Sequence, residues 1–185
     1  MFHEPRHQQY NVLVRTYTHA IVSCLISARL SGRRNAAWAS AGAFAPDVPA
    51  LAGSAWLLLK SRRLSREAFY GEVCGRRHFR IPDAALHSAA VLAVPGALVL
   101  ASRLAGRAAP GETRATAFLL GWAGHVASDV LTHGSDARPP LWPLSGWRFE
   151  SPVSYRELDR HGLAFTLAEH GVLLALLYGA LRRRI

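Results

Sequence analysis

Lysine is almost missing from this chain. Lys60 is the only one among 22 basic residues, and the net charge of +10 is carried by arginine. Cysteine is scarce too. Cys24 and Cys74 form no CxxC pair, which excludes a disulfide framework, and Cys24 lies in an apolar run where a small buried thiol is expected. No persuasive strand alternation occurs, and no internal repeat is visible. RNP-like, zinc-finger and helix-turn-helix signatures are absent, so nucleic acid is not the expected partner despite the high pI. The start, Met1 to Gln9, is polar and carries two histidines, which does not read as a cleavable signal; residues 1–10 are expected to be a loose terminus.

Half of the residues are hydrophobic, although the mean hydropathy is only +0.10. The 185 residues suffice for one domain with a real core. Five apolar segments read as helices, which predicts an all-α bundle. They run from about Asn11 to Leu30, Asn35 to Lys60, Asp83 to Arg103 with His87 in its first turn, Gly111 to His133, and Tyr155 to Arg182. Pro46 and Pro49 interrupt the second, since proline removes a donor and clashes with the preceding turn. Between the fourth and fifth lies Gly134 to Ser154, rich in proline and carrying Trp142, Trp147 and Phe149. A loop of that length is a candidate lid, or alternatively a packed surface loop.

The arginines cluster beside the apolar segments, at Arg29/Arg33/Arg34, Arg62/Arg63/Arg66, Arg76/Arg77/Arg80, Arg103/Arg107 and Arg182/Arg183/Arg184. Flanking positive charge of this kind marks the cytoplasmic ends of membrane helices. The segments sit near the lower length limit for a span, about 17 residues. The expectation is a multi-pass protein of the cell's inner membrane. With alternating helix directions, the histidines gather at one end and most arginines at the other, which puts the histidine end on the non-cytoplasmic side. The Lys60–Arg66 cluster fits only if the second segment turns back at Pro46–Pro49.

The stretch His125-Val-Ala-Ser-Asp129-Val-Leu-Thr-His133 is the most telling. At roughly 100° per residue, each four-residue step drifts only about 40°, so His125, Asp129 and His133 share one helical face. Burying them on an apolar helix is costly unless something pairs with them, and a divalent metal suits all three. The outer two lie about 12 Å apart along the axis, too far for one ion. Two ions about 3.5–4 Å apart are compatible, with Asp129 bridging. The other reading is a polar stripe of satisfied core residues.

Further candidates lie on other segments: His19, Asp47 and His87. Four imidazoles and two carboxylates would suit a two-zinc site. Asp47 is the only charge between Asn35 and Leu59, although between two prolines it could instead cap the following helix. Asp83, His161 and Glu169 are candidates to stand behind the ligands, Asp83 by orienting the His87 ring. Glu169 has Arg156 and Arg160 as alternative partners.

Thr18-His19, Gly42-Ala43-Phe44-Ala45-Pro46-Asp47, Leu86-His87-Ser88, Gly124-His125-x3-Asp129-x-Leu131-Thr132-His133 and Leu141-Trp142-Pro143-Leu144 follow one another in that order. This series resembles the YdjM-type inner-membrane metal-dependent hydrolases, also described as LexA-binding-related and as distantly similar to zinc-dependent phospholipase C. The resemblance covers residues 18 to 155. Many members carry a second histidine five residues before the helix-three histidine; here that position is Pro82, followed by Asp83. Ser151-Pro152-Val153-Ser154-Tyr155 resembles a variant tail of the motif.

The resemblance implies a membrane-bound zinc hydrolase acting on phosphoester bonds, with membrane lipid as partner and lipid or small phosphoesters as substrate. His19, Asp47, His87, His125, Asp129 and His133 would hold one or two ions. Asp47 or Asp129 would accept the proton of the attacking water. The alternative is a non-enzymatic membrane protein whose His/Asp cluster binds metal structurally.

Overall fold

The structure, a computed structural model, describes residues 15–62, 64–107 and 112–182. The expected loose terminus over residues 1–10 lies outside the described residues. Every regular element among the described residues is helical: α1 (Thr16–Ser31), α2 (Arg33–Phe44), α3 (Val48–Ser61), α4 (Arg66–Ala68), α5 (Arg77–Leu86), α6 (Ala89–Leu104), α7 (Glu112–Thr132) and α8 (Gly162–Arg182). Ala45–Asp47 forms a 3-10 turn between α2 and α3, and Phe69–Cys74 a π-helical stretch after α4.

The elements pack in two groups. In the first, α2 packs on α1 and α7, and α6 and α8 attach to α7 and α1. In the second, α3, α5 and the Phe69–Cys74 stretch close around Leu57, Phe69 and Val73. The 3-10 turn joins the two groups.

Small residues let α2 and α7 touch backbone to backbone. Ala36, Ala39, Gly42 and Ala43 are the buried positions of α2. A Cβ on Gly42 would stand 1.9 Å from the Phe118 carbonyl oxygen, and one on Gly121 1.9 Å from that of Ala39. Only glycine allows this approach, and it carries His125 of α7 against the end of α2.

The structure departs from the sequence-based expectations at four places. The third segment is not one helix: α5 and α6 meet at 55°, with His87 at the break rather than in a first turn. Ser88 imposes the break. Its backbone is extended, its Oγ accepts from the Val91 N–H, and the Pro140 carbonyl takes the Ala89 N–H at 2.8 Å. The fifth helix begins at Gly162, not Tyr155, because His161 adopts a left-handed φ of 62° that interrupts helical propagation. The second segment does not turn back: Arg33–Ser61 runs through the 3-10 turn as one 29-residue element. Lys60 and Arg62 therefore lie at the end opposite Arg33 and Arg34. Finally, residues 66–74 are helical although no apolar periodicity announced them.

Among the described residues two elements, Arg33–Ser61 and Gly162–Arg182, are long and apolar enough to cross a membrane, or three if bent α5–α6 counts as one. In α8 only Gly162 and Leu173 are buried, while Leu163, Leu167, Val172, Leu174 and Leu181 are open. Each such side chain gains about 1.5–3 kcal/mol on burial, so this face calls for an apolar neighbour.

Candidate metal centre

Four helix ends or breaks converge at one point. The α1 start brings His19, the 3-10 turn after α2 brings Asp47, the α5–α6 break brings His87, and the last turns of α7 bring His125 and Asp129. His87 and His125 are almost completely buried. Asp129 is buried, and His19 and Asp47 are partly so.

The ring nitrogens are set by backbone carbonyls. His87 Nδ1–H donates to the Asp83 carbonyl at 2.8 Å, and His125 Nδ1–H to the Ala43 carbonyl at 2.7 Å. Both acceptors sit near helix ends, and the Asp83 carbonyl also takes the His87 backbone N–H at 3.1 Å. His19 Nδ1 lies 3.0 Å from Ser128 Oγ, whose own hydrogen is within reach of the Gly124 and His125 carbonyls. With Nδ1 occupied, each ring turns its Nε2 inward. This is the arrangement by which a metal-binding histidine is oriented.

The inward atoms form a compact set. His87 Nε2, His125 Nε2 and Asp129 Oδ2 make a triangle with sides of 3.3, 3.4 and 3.4 Å. Asp47 Oδ1 stands 3.7 Å from His87 Nε2 and 3.9 Å from His125 Nε2. A tetrahedral zinc with bonds of about 2.0–2.1 Å has ligand–ligand edges of about 3.3–3.4 Å. The triangle has that size. Two facing imidazole lone pairs repel, and a cation between them removes the repulsion. The donor set therefore fits a divalent metal. His19, His125 and Asp129 form one three-ligand group, and Asp47, His87 and His125 a second.

Asp129 faces both sides. Its Oδ2 meets His87 and His125, while its Oδ1 lies 3.4 Å from His19 Nε2. The partner across the carboxylate is thus His19, not His133. His133 stands apart from both groups. Its Nδ1–H donates to the Asp129 carbonyl at 3.0 Å, and its Nε2 accepts from the Tyr155 hydroxyl at 3.1 Å. Burial, which outweighs the nearby Asp129 carboxylate, pushes the His133 imidazole down to about 4, so the ring is neutral. Burial also raises the Tyr155 phenol above its ordinary range.

The three residues expected behind the ligands divide. Asp83 does orient the His87 ring, but through its carbonyl; its carboxylate is taken by Arg138, at 2.7 and 3.1 Å. Glu169 pairs with Arg15 rather than Arg156 or Arg160. Those two bind Asp136 and Glu157 at 2.6 and 2.8 Å. His161 is exposed at the turn before α8 and belongs to neither three-ligand group. Sequence reasoning missed Arg15, Thr16, Arg138 and Tyr155. Thr16 Oγ1 donates to Asp47 Oδ2 at 2.5 Å, and Arg138 lies 3.6 Å from Asp129. The Arg15 guanidinium sits over the Tyr155 ring at 4.2 Å. Thr16 precedes His19 by three residues, a helical neighbour that could have been tested against Asp47; nothing local marks the others.

No family model, no curated protein and no solved structure matches this chain.

Proposed function

We propose that this chain is a membrane-embedded, metal-dependent hydrolase, with zinc as the preferred ion and phosphoester bonds of lipids as its target. The observation that carries the reading is the buried triangle of His87, His125 and Asp129 with edges of 3.3–3.4 Å. Asp47 supports it from one side and His19 from the other. On this reading the chain belongs with the YdjM-type proteins whose motif order it resembles.

A bound zinc would bring the pKa of a water to near 7 and polarise a phosphoryl oxygen. The chain's own residues supply the rest. His87, His125 and Asp129 hold the ion. Asp47 takes the proton of the attacking water as its oxygen bonds to phosphorus, and returns it to the leaving oxygen as the ester bond breaks. Thr16 fixes the Asp47 carboxylate by its hydroxyl bond. Asp129 takes the same proton-accepting role if Asp47 is engaged by a second ion.

The membrane reading rests on the open apolar faces of α6 and α8 and on the exposed Leu144 and Trp147 of the loop after α7. Amphipathic rings favour the headgroup level. The protein is multi-pass on this reading. Arg29, Arg33, Arg103 and Arg182 lie at the ends of their helices away from the cluster, which directs the metal centre to the non-cytoplasmic side of the inner membrane. The charges on α3 and α5 oppose that orientation, and Glu72 offsets part of them through Lys60 and Arg76.

One observation favours the non-enzymatic alternative. The polar pocket between Asp47, Asp129, His133 and Arg156 has a volume of only about 20 Å³, room for one water. The test is metal analysis of detergent-purified protein together with hydrolysis of lipid and soluble phosphodiester panels. Stoichiometric metal with turnover abolished in Asp47→Asn supports the hydrolase. Metal without turnover, and loss of stability on chelation, establishes the structural role.

A further inference from the structure

Beside the metal centre an apolar groove of about 470 Å³ runs between α1 and α7, with Phe165 and Glu169 of α8 at one end. Val22, Ile26, Leu30, Ala117 and Leu120 line its length. Arg15, His19 and Tyr155 line both this groove and the polar pocket at the metal centre. The groove therefore borders the site. Ile26, Leu30 and Leu120 are exposed and form a lateral rim.

We propose that this groove holds one acyl chain of a membrane lipid, with the lipid's polar end at Arg15, His19 and Tyr155. The inference rests on the membrane reading above and deepens it into a site. Three observations select the occupant. From His19 to Leu30 the groove follows α1 for about 16 Å, close to the depth of one leaflet, about 15 Å. Its volume of about 470 Å³ is enough for a single unbranched chain. Its walls are mostly apolar, with serines and threonines spread along them, and its ionisable groups, Arg15, His19, Tyr155 and Glu169, stand at the metal end, which matches a lipid's own polarity.

Gly124 supplies the test. It lines the groove, and a Cβ there meets nothing within 4 Å. Gly124→Leu therefore adds an apolar side chain to the groove lining with no clash at its Cβ. Gly171→Leu, at an equally open position outside the groove, is the matched control. The protein is reconstituted in phosphatidylethanolamine/phosphatidylglycerol nanodiscs containing phosphatidylglycerol with a diazirine in its acyl chain. After illumination, adducts are mapped by mass spectrometry.

The expected result is enrichment on Val22, Ile26 and Leu120 over Leu174 of α8. Gly124→Leu should reduce groove adducts to background and Gly171→Leu should not. Equal labelling of groove and α8, or adducts unaffected by Gly124→Leu, overturns the proposal. So do disulfide-linked dimers of an Ile26→Cys/Leu120→Cys variant under mild oxidation, which would make the occupant a second copy. Labelling needs no turnover, so groove adducts without hydrolysis retain the acyl site and reject the hydrolase reading. Hydrolysis without groove adducts does the reverse.

Discussion

His87 Nε2 faces His125 Nε2 at 3.3 Å, and each ring has already given its Nδ1–H to a main-chain carbonyl. Neither ring can turn to relieve the contact without abandoning that bond, which contributes about 0.5–1.5 kcal/mol. The pair is held ready for a cation.

Asp129 touches both histidine groups, so its substitution should be decisive. Asp129→Asn keeps the side chain's shape but replaces one carboxylate oxygen with a donor and removes the charge. Metal content by inductively coupled plasma mass spectrometry should fall almost as far as in Asp129→Ala. Full occupancy in Asp129→Asn would show that the carboxylate bridges nothing.

His133 and His87 should behave differently. His87→Ala removes a corner of the triangle and should abolish metal binding. His133→Ala should leave most of the metal in place and cost stability instead, about 1–3 kcal/mol for the stranded Tyr155 hydroxyl, while the Asp129 carbonyl keeps the backbone N–H of residue 133. Equal metal loss in both variants would place His133 among the ligands.

Stability of the metal-free protein should fall on acidification through His133. Its ring is held at about 4 in the fold. Unfolded, it titrates near 6.5, so below that pH the unfolded chain binds a proton that the fold refuses. The contribution is complete above pH ~6.5 and declines by up to about 1.4 kcal/mol per pH unit from there down to about pH 4. Thermal melts in detergent between pH 8 and pH 5 should show a shallower decline for His133→Gln than for the wild type. Parallel curves would assign the acid sensitivity elsewhere.

Gly42→Ala and Gly124→Ala should move stability in opposite directions. A Cβ at Gly42 collides with the Phe118 carbonyl, whereas one at Gly124 meets open space. Gly42→Ala should push α2 from α7, part His125 from Ala43 and lose metal as well as stability. Gly124→Ala should keep metal and add up to about 1 kcal/mol through helix propensity. Melting temperature and metal content, read together, decide this.

Much of the helical layout was legible, because apolar runs and arginine borders mark where α1, α2–α3, α6, α7 and α8 lie. The His87 break was not. Ser88 reads as a cap only once the loop at Pro140 supplies a partner 52 residues away. Within the site, periodicity identified the face of α7 that carries His125 and Asp129, but a face does not name what opposes it. Hence His133, on the same face, stands against the Tyr155 hydroxyl, while His19 lies across the Asp129 carboxylate. Arg15 and Arg138 could not be found because their partners, Glu169 and Asp83, are set by helix docking rather than by spacing.

The carbonyls of Ala43 and Asp83 do more than orient two rings. They make the tautomers a property of the main chain, insensitive to which side chains stand at positions 43 and 83. Asp83 can be exchanged without the imidazole losing its acceptor, provided Arg138 is accommodated. In a lineage, such a centre would be inherited through the shape of its helix ends, and its supporting positions could drift in identity while the chemistry stayed in place.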